Sequence, residues 1–578
     1  MMGAQRMFPC WDEPKFRAKF TITIKHNAKY TALSNMPIST SETINDTAIT
    51  SFNTTPAIPT HLIAIILCLL DDGMAKWALV SYRDEDIIYN KELDPIARKL
   101  KVESLIGRKI SRQWLSTVVS PSSWSYMWLN EGIATFFYVT DVVKETIGSD
   151  YSDLFTIQTM QESLHLDVLS IMSPLISETD QFSNINSFCS IPYYAKEKPG
   201  MGNCPLLCPV LQVTMLLASV NDFWADMQTA YEEELLGEVL PKLPINIKKV
   251  MDPWIEQKSF PVLFVHVRKR YITNNGDWIV PQTNTTQEYL NFIDNSTIKW
   301  LDPGKSKLSI DLKLRDNWII FNIQQTGYYR VNYNNENWLK ITRYLNSVKK
   351  YKKIHVLNRA QIIDDAFHLM IANQLNSDIF WDLSKYLSYD TDYRAWYPMI
   401  KAIEDMSYLF PFSEHQPLKV ILLYRLNRLI GRIKYEEASE DNDLTKCLRQ
   451  EAVKWECVLG DLECKSEAVT KLKWHLENPK EISSITALIN IINHVYSKEQ
   501  LNKIMTFVKN TKDILLTIPL IRNSFESRTQ NCTKYAKIIR NKIIEFQTCN
   551  IRTKVNLRLS QIKRHSESCG TVYTCSFL

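Results

Sequence analysis

Apolar and polar positions change period three times along this chain, dividing it into four stretches. Residues 16–56 alternate, as in Phe20-Thr21-Ile22-Thr23-Ile24 and Tyr30-Thr31-Ala32-Leu33. A period of two predicts strands with one buried face. From Ile96 to about Leu217 apolar residues recur three and four apart, as in Trp128-Leu129-Asn130-Glu131-Gly132-Ile133-Ala134-Thr135-Phe136-Phe137, which predicts helices. Residues 260–333 return to short β-rich runs, including Phe260-Pro261-Val262-Leu263-Phe264-Val265 and Trp318-Ile319-Ile320-Phe321-Asn322-Ile323. Asn274-Asn275-Gly276-Asp277 between two such runs predicts a hairpin turn. From Ile354 onward the pattern is helical, with few glycines.

Composition narrows the class. The chain has 578 residues, enough for several domains, with 45% hydrophobic and 23% charged residues. A net charge of +5 with scattered Lys and Arg gives no basic stripe, so nucleic acid is not an expected partner. The apolar run Leu62–Leu70 falls well short of the about 20 residues a membrane helix needs, so no transmembrane segment is expected. No signal peptide or anchor sequence is read at either end. Asn45, Asn53, Asn284, Asn295 and Asn531 stand in Asn-x-Ser/Thr acceptor sequences, which suit an extracellular glycoprotein. Twelve cysteines are too few for a disulfide scaffold at this length. Cys189, Cys204 and Cys208, broken up by Pro205 and Pro209, read as local drift or a bridge rather than a metal site. No Ser-His-Asp, phosphate-loop or dinucleotide pattern appears.

Four segments resemble the M1 zinc aminopeptidases (aminopeptidase N-like), in that family's order. Arg6-Met7-Phe8-Pro9-Cys10-Trp11-Asp12-Glu13-Pro14, with Ala32-Leu33-Ser34-Asn35-Met36-Pro37, is similar to the end of the N-terminal β-domain. Trp124–Ala134 resembles the helix that bears the third zinc ligand. Asn322–Tyr333 resembles the small β-sandwich, and His355–Phe367 the start of the helical C-terminal domain. The resemblance implies a multidomain α+β fold: a remnant β-domain over 1–60, a thermolysin-like peptidase domain over 61–257, a β-sandwich over 258–345, and an α-helical array over 346–578. It also implies lost blocks before Arg6, near Leu70 and near Lys480. Cys457 and Cys464 match a disulfide loop of the family's helical domain, which favours an oxidising compartment and an extracellular or cell-surface location.

The family's catalytic zinc takes two His one helical turn apart and a Glu from the next helix, with a Glu base after the first His. Aligned on Gln113-Trp114 and Glu131, the two His positions hold Arg108 and Arg112, and the base position holds Lys109. Glu131 is the sole surviving ligand. Guanidinium groups have no lone pair to give and stay protonated, so no zinc cofactor is expected. The nearest His in sequence is His165. Ala75 replaces the Glu that binds the substrate's amino group, and Lys76 adds a positive charge there. Tyr194, followed by Ala195-Lys196, matches the oxyanion Tyr, although Glu197 replaces the Gly; Tyr193 is its neighbouring candidate. Arg108 or Arg112 is expected to pair with Glu131 in place of the ion. The resemblance therefore implies an inactive M1 relative with a peptide-binding or decoy role, peptides being its expected partners. The alternatives are an active zinc aminopeptidase and a partial translation without independent function.

Overall fold

The computed structural model describes residues 4–66, 75–76, 78–82, 84–89, 96–115, 148–167, 220–237, 246–257, 259–267, 271–274, 280–282, 284–286, 299–301, 308–309, 318–407 and 416–477. Within them the chain is mixed α+β, with strands leading and helices closing the order.

Near the N-terminus, β1 (Thr23–Asn27), β2 (Ile38–Ile44) and β3 (Thr47–Phe52) form an antiparallel sheet with β3 in the middle. Alternation is clearest in β3, where Ala48, Thr50 and Phe52 are buried. Asn45 makes the β2–β3 turn at φ 55°, in the left-handed region that Asn tolerates. Ile24, Ala32 and Phe52 close a small core here.

The strands β4 (Ala75–Lys76) and β5 (Leu79–Val80) pair antiparallel, Ala75 opposite Val80. The long helix α1 (Ile96–Leu115) lies against β4. Helices α2 (Ser149–Asp167), α3 (Val220–Gly237) and α4 (Ile247–Glu256) follow. Asn246 caps α4, its side chain accepting from the Lys249 N–H at 2.8 Å, which satisfies one of the free donors of the first turn.

The second strand region holds β6 (Val262–His266), β7 (Tyr271–Asn274), β8 (Val280–Gln282), β9 (Asn284–Thr286), β10 (Lys299–Leu301), β11 (Leu308–Ser309), β12 (Ile319–Phe321) and β13 (Arg330–Tyr333). One sheet runs β11-β7-β6-β13, with β6 and β13 parallel. Asn275, Gly276 and Asp277 of the expected hairpin turn lie outside the described residues, and among the described residues β7 and β8 are not paired with each other. Strand β7 has β6 on one edge and β11 on the other, and β8 pairs with β10. Strands β6 and β7 pair antiparallel, Leu263 opposite Asn274.

Helices α5 (Asn335–Leu345), α6 (Val356–Ile371), α7 (Ser377–Leu383), α8 (Tyr393–Met406), α9 (Gln416–Ile433), α10 (Asp443–Leu459) and α11 (Leu462–Glu477) complete the described chain. Side chains of Asn376, Asp392 and Asn442 cap α7, α8 and α10. Gly460 ends α10 at φ 109°, where a Cβ would be strained. The expected bridge joins Cys457 to Cys464 across this turn. One apolar core runs through the β6 sheet, α2 to α4 and the helical array; Trp224, Trp254, Trp318, Trp338 and Trp396 are fully buried in it.

Docking between α2 and the array is electrostatic as well as apolar. Arg394, in the first turn of α8, reaches Asp150 at 2.6 Å and Asp153 at 3.1 Å on α2 while holding its own cap, Asp392, at 2.8 Å. Deeper in, Arg330 on β13 pairs with Asp364 at 2.5 Å and Asp365 at 3.3 Å on α6, all three groups being buried. Among the described residues no helix is long and apolar enough to cross a membrane.

Candidate functional site

Helix α1 and the β4–β5 hairpin bring two of the predicted site segments together. Arg108 and Lys109 lie in the third turn from the end of the helix that packs against the Ala75 strand. Lys109 is buried, its ammonium donating to the Ser81 carbonyl at 3.0 Å and lying 4.7 Å from the Tyr82 ring centre. Gln113 accepts from the Ala78 N–H at 3.1 Å. These bonds fix the hairpin to the helix through two side chains one turn apart. The Arg108 guanidinium donates to the Ser104 carbonyl at 3.4 Å, one turn back. Arg112 follows on the same helix. Guanidinium and ammonium groups offer only donors, so Arg108 and Lys109 do not fit a divalent ion. Glu131 and Tyr194, with Tyr193, fall outside the described residues.

Arg108 also faces a cleft of about 280 Å³ between α1, α2 and the helical array. Lys101 and Ser104 line it with Arg108, opposite Leu154, Phe155 and Tyr393. The arrangement offers cations at one wall and apolar surface at the other.

A second group of chemistry-bearing side chains lies elsewhere. His165 of α2, His368 of α6 and Asp405 of α8 bring one ligand atom each to within 4.8 Å of one another. His165 Nδ1 is 3.1 Å from His368 Nε2 and 3.6 Å from the Asp405 carboxylate. The other nitrogen of His368, Nδ1, is 2.9 Å from the Asp364 carbonyl and 3.2 Å from its carboxylate. Burial pushes the His165 pKa down, with His368 adding to the effect, and pushes Asp405 up. Burial also raises Asp364, but Arg330 and His368 outweigh it and hold that carboxyl at about 2. Its neighbour Asp365, with burial only partly offset by Arg330, rises to about 7. His165 is singled out by sequence only as the nearest His to the expected zinc helix. His368 and Asp405 carry no local signal, since the three come from helices far apart along the chain.

Family models match the chain in three segments: the peptidase M1 N-terminal domain over residues 1–62, the peptidase family M1 domain over 42–254, and the ERAP1-like C-terminal domain over 318–515. Aminopeptidase N of Plutella xylostella is 26% identical, over 83% of this chain and 60% of its own length. Aminopeptidase N of Oryctolagus cuniculus is 26% identical, over 75% of this chain and 54% of its own. Aminopeptidase Q of Homo sapiens is 25% identical, over 73% and 52%. The chain thus spans between half and three fifths of the curated relatives it matches. With N-terminal, catalytic-domain and C-terminal models all matching in order, the chain belongs to the M1 peptidase family.

Proposed function

We propose that this chain is a non-catalytic M1 relative that holds peptides without cleaving them. The observation that carries the reading is Lys109. In the family's register it stands where the general base belongs, and its ammonium is spent on the Ser81 carbonyl and the Tyr82 ring. An ammonium so placed cannot take a proton from water. Arg108 and Arg112 take the two His positions, Ala75 the amine-binding Glu position, and Glu131 alone remains of the zinc ligands. Without the ion there is neither an activated water nor a Lewis acid for the scissile carbonyl. An oxyanion donor at Tyr194 would have no tetrahedral intermediate to stabilise.

The cleft beside Arg108 supports the binding half of the reading, because its cations suit a peptide carboxylate and its apolar wall suits a side chain. The domain limits that go with this reading are 1–60, 61–257 (thermolysin-like), 258–345 (β-sandwich) and 346–578. The Cys457–Cys464 bridge, and the exposed acceptor positions Asn45 and Asn53, suit an extracellular or cell-surface glycoprotein.

Aminoacyl-arylamide substrates test the reading, with and without chelator. The expected result is no release above the blank in either case. Chelator-sensitive release would establish a zinc aminopeptidase and overturn the proposal. A fluorescent peptide incubated with the same sample is expected to bind and to be recovered at full length. Absence of binding removes the peptide-holding role.

A further inference from the structure

We propose that His165, His368 and Asp405 form a divalent transition-metal site of the zinc class, clipping α2 to α6 and α8. The donor set is two imidazoles and one carboxylate, the set that zinc accepts with a fourth position left for water. Ligand atoms about 2.0–2.2 Å from a tetrahedral ion lie about 3.3–3.6 Å from each other. The observed separations of 3.1 Å and 3.6 Å bracket that range.

The protonation pattern is already that of a metal-binding histidine. A backbone carbonyl can only accept, so the 2.9 Å contact with Asp364 places the proton of His368 on Nδ1. Its Nε2 then carries the lone pair, pointing at the cluster. Asp364 is in turn held by Arg330, giving a carboxylate–histidine support of the kind that orients metal ligands. In the free protein His165 donates from Nδ1 to His368 Nε2. Binding replaces that hydrogen bond: His165 shifts its proton from Nδ1 to Nε2, and both facing nitrogens become ligands, with no net proton released from the pair.

The surroundings favour a cation. Glu162, Asp364, Glu404 and Asp405 line the adjoining cavity of about 260 Å³, against Lys401, with Arg330 behind Asp364. Each ligand also sits in the last turn of its helix, where unsatisfied carbonyls give negative potential. The cavity leaves room for water or a small ligand on the open face.

The site is independent of the zinc position considered above, and the test separates the two. The full chain is stripped with chelator and titrated with Zn²⁺ against a chromophoric competitor. Wild type is expected to bind one equivalent at this site. His165→Ala and Asp405→Asn are expected to weaken it at least tenfold while melting as wild type does in chelator. Zn²⁺ should raise the melting temperature of wild type and not of the variants. Because the chain has twelve cysteines, Co²⁺ serves as a second probe. Its ligand-field bands should appear without a thiolate charge-transfer band and vanish in His165→Ala. Should Asp405→Asn fail to fold, His165→Gln carries the same test on a side chain that is 41% exposed. Equal binding by wild type and variants, or no binding, overturns the proposal. Binding lost only in Glu131→Gln overturns it too, and would also count against loss of the family's zinc. Chelator-sensitive hydrolysis that survives His165→Ala would overturn the functional reading alone.

Discussion

Arg330 on β13 places one guanidinium nitrogen 2.5 Å from Asp364 and 3.3 Å from Asp365, consecutive residues of α6. The strand and the helical array are thereby joined by buried charge. Removing the cation leaves Asp364 with His368, and Asp365 with the Val331 N–H and the Gln361 amide, but with no full positive charge to offset their burial. Arg330→Met is expected to cost about 3–5 kcal/mol, read by urea denaturation. A loss below about 1 kcal/mol would mean that the carboxylates find other partners.

One guanidinium cannot fully compensate two buried carboxylates, so one of them keeps its proton more readily. Asp364 is held at about 2 and Asp365 is raised to about 7. A raised carboxyl binds protons in the folded state that the unfolded chain has released. Its contribution to stability therefore falls as pH rises from about 4, the unfolded value, to about 7. Asp365→Asn removes this titration. Wild type is expected to lose stability relative to the variant across that window, in parallel urea titrations at several pH values. A constant difference would show that Asp365 is ionised throughout.

Lys109 and Ser81 make a similar but smaller join between α1 and the β4–β5 hairpin. Lys109→Met keeps the apolar stem and loses the charged bond and the contact with Tyr82. The expected cost is about 1–3 kcal/mol by thermal melting. Lys109→Glu, which on the proposed register restores the family's carboxylate, is expected to give no arylamide release, because on that register Arg108 and Arg112 still hold the two His positions.

Cys457 and Cys464 close a short loop across the α10–α11 turn. Chain entropy for a loop of this size predicts about 2 kcal/mol of stabilisation. Cys457→Ala with Cys464→Ala should lower the melting temperature by an amount that dithiothreitol treatment of wild type reproduces. A variant that melts unchanged would show that Gly460 and the helix packing define the turn without the bridge.

Much of the fold was legible because its signals are local. The strands around Ile24 and Phe52 alternate over a half-exposed sheet, and a period of two survives there. Asn442, Gly460 and the close Cys pair mark a helix start, a helix end and a bridge within about twenty residues. The Asn-Gly signal near Gly276 lies outside the described residues, and turn chemistry does not say which strands become neighbours; β7 takes β6 on one edge and β11 on the other. The helix that carries Arg108 and Lys109 packs against the Ala75 strand, two segments that the sequence singled out separately. The meeting of His165, His368 and Asp405 was not legible. No spacing rule links positions on three helices that meet only after the array has packed.

Arg394 binds Asp150 and Asp153 on α2 and its own helix cap Asp392. Asp150 is largely exposed, so part of this grip is open to dissolved ions, and electrolyte within a Debye length of about 8 Å weakens it. The clasp of α2 on the helical array is then graded by ionic strength. Dilute buffers tighten the seam that both the cleft and the His165 cluster straddle, and brine loosens it.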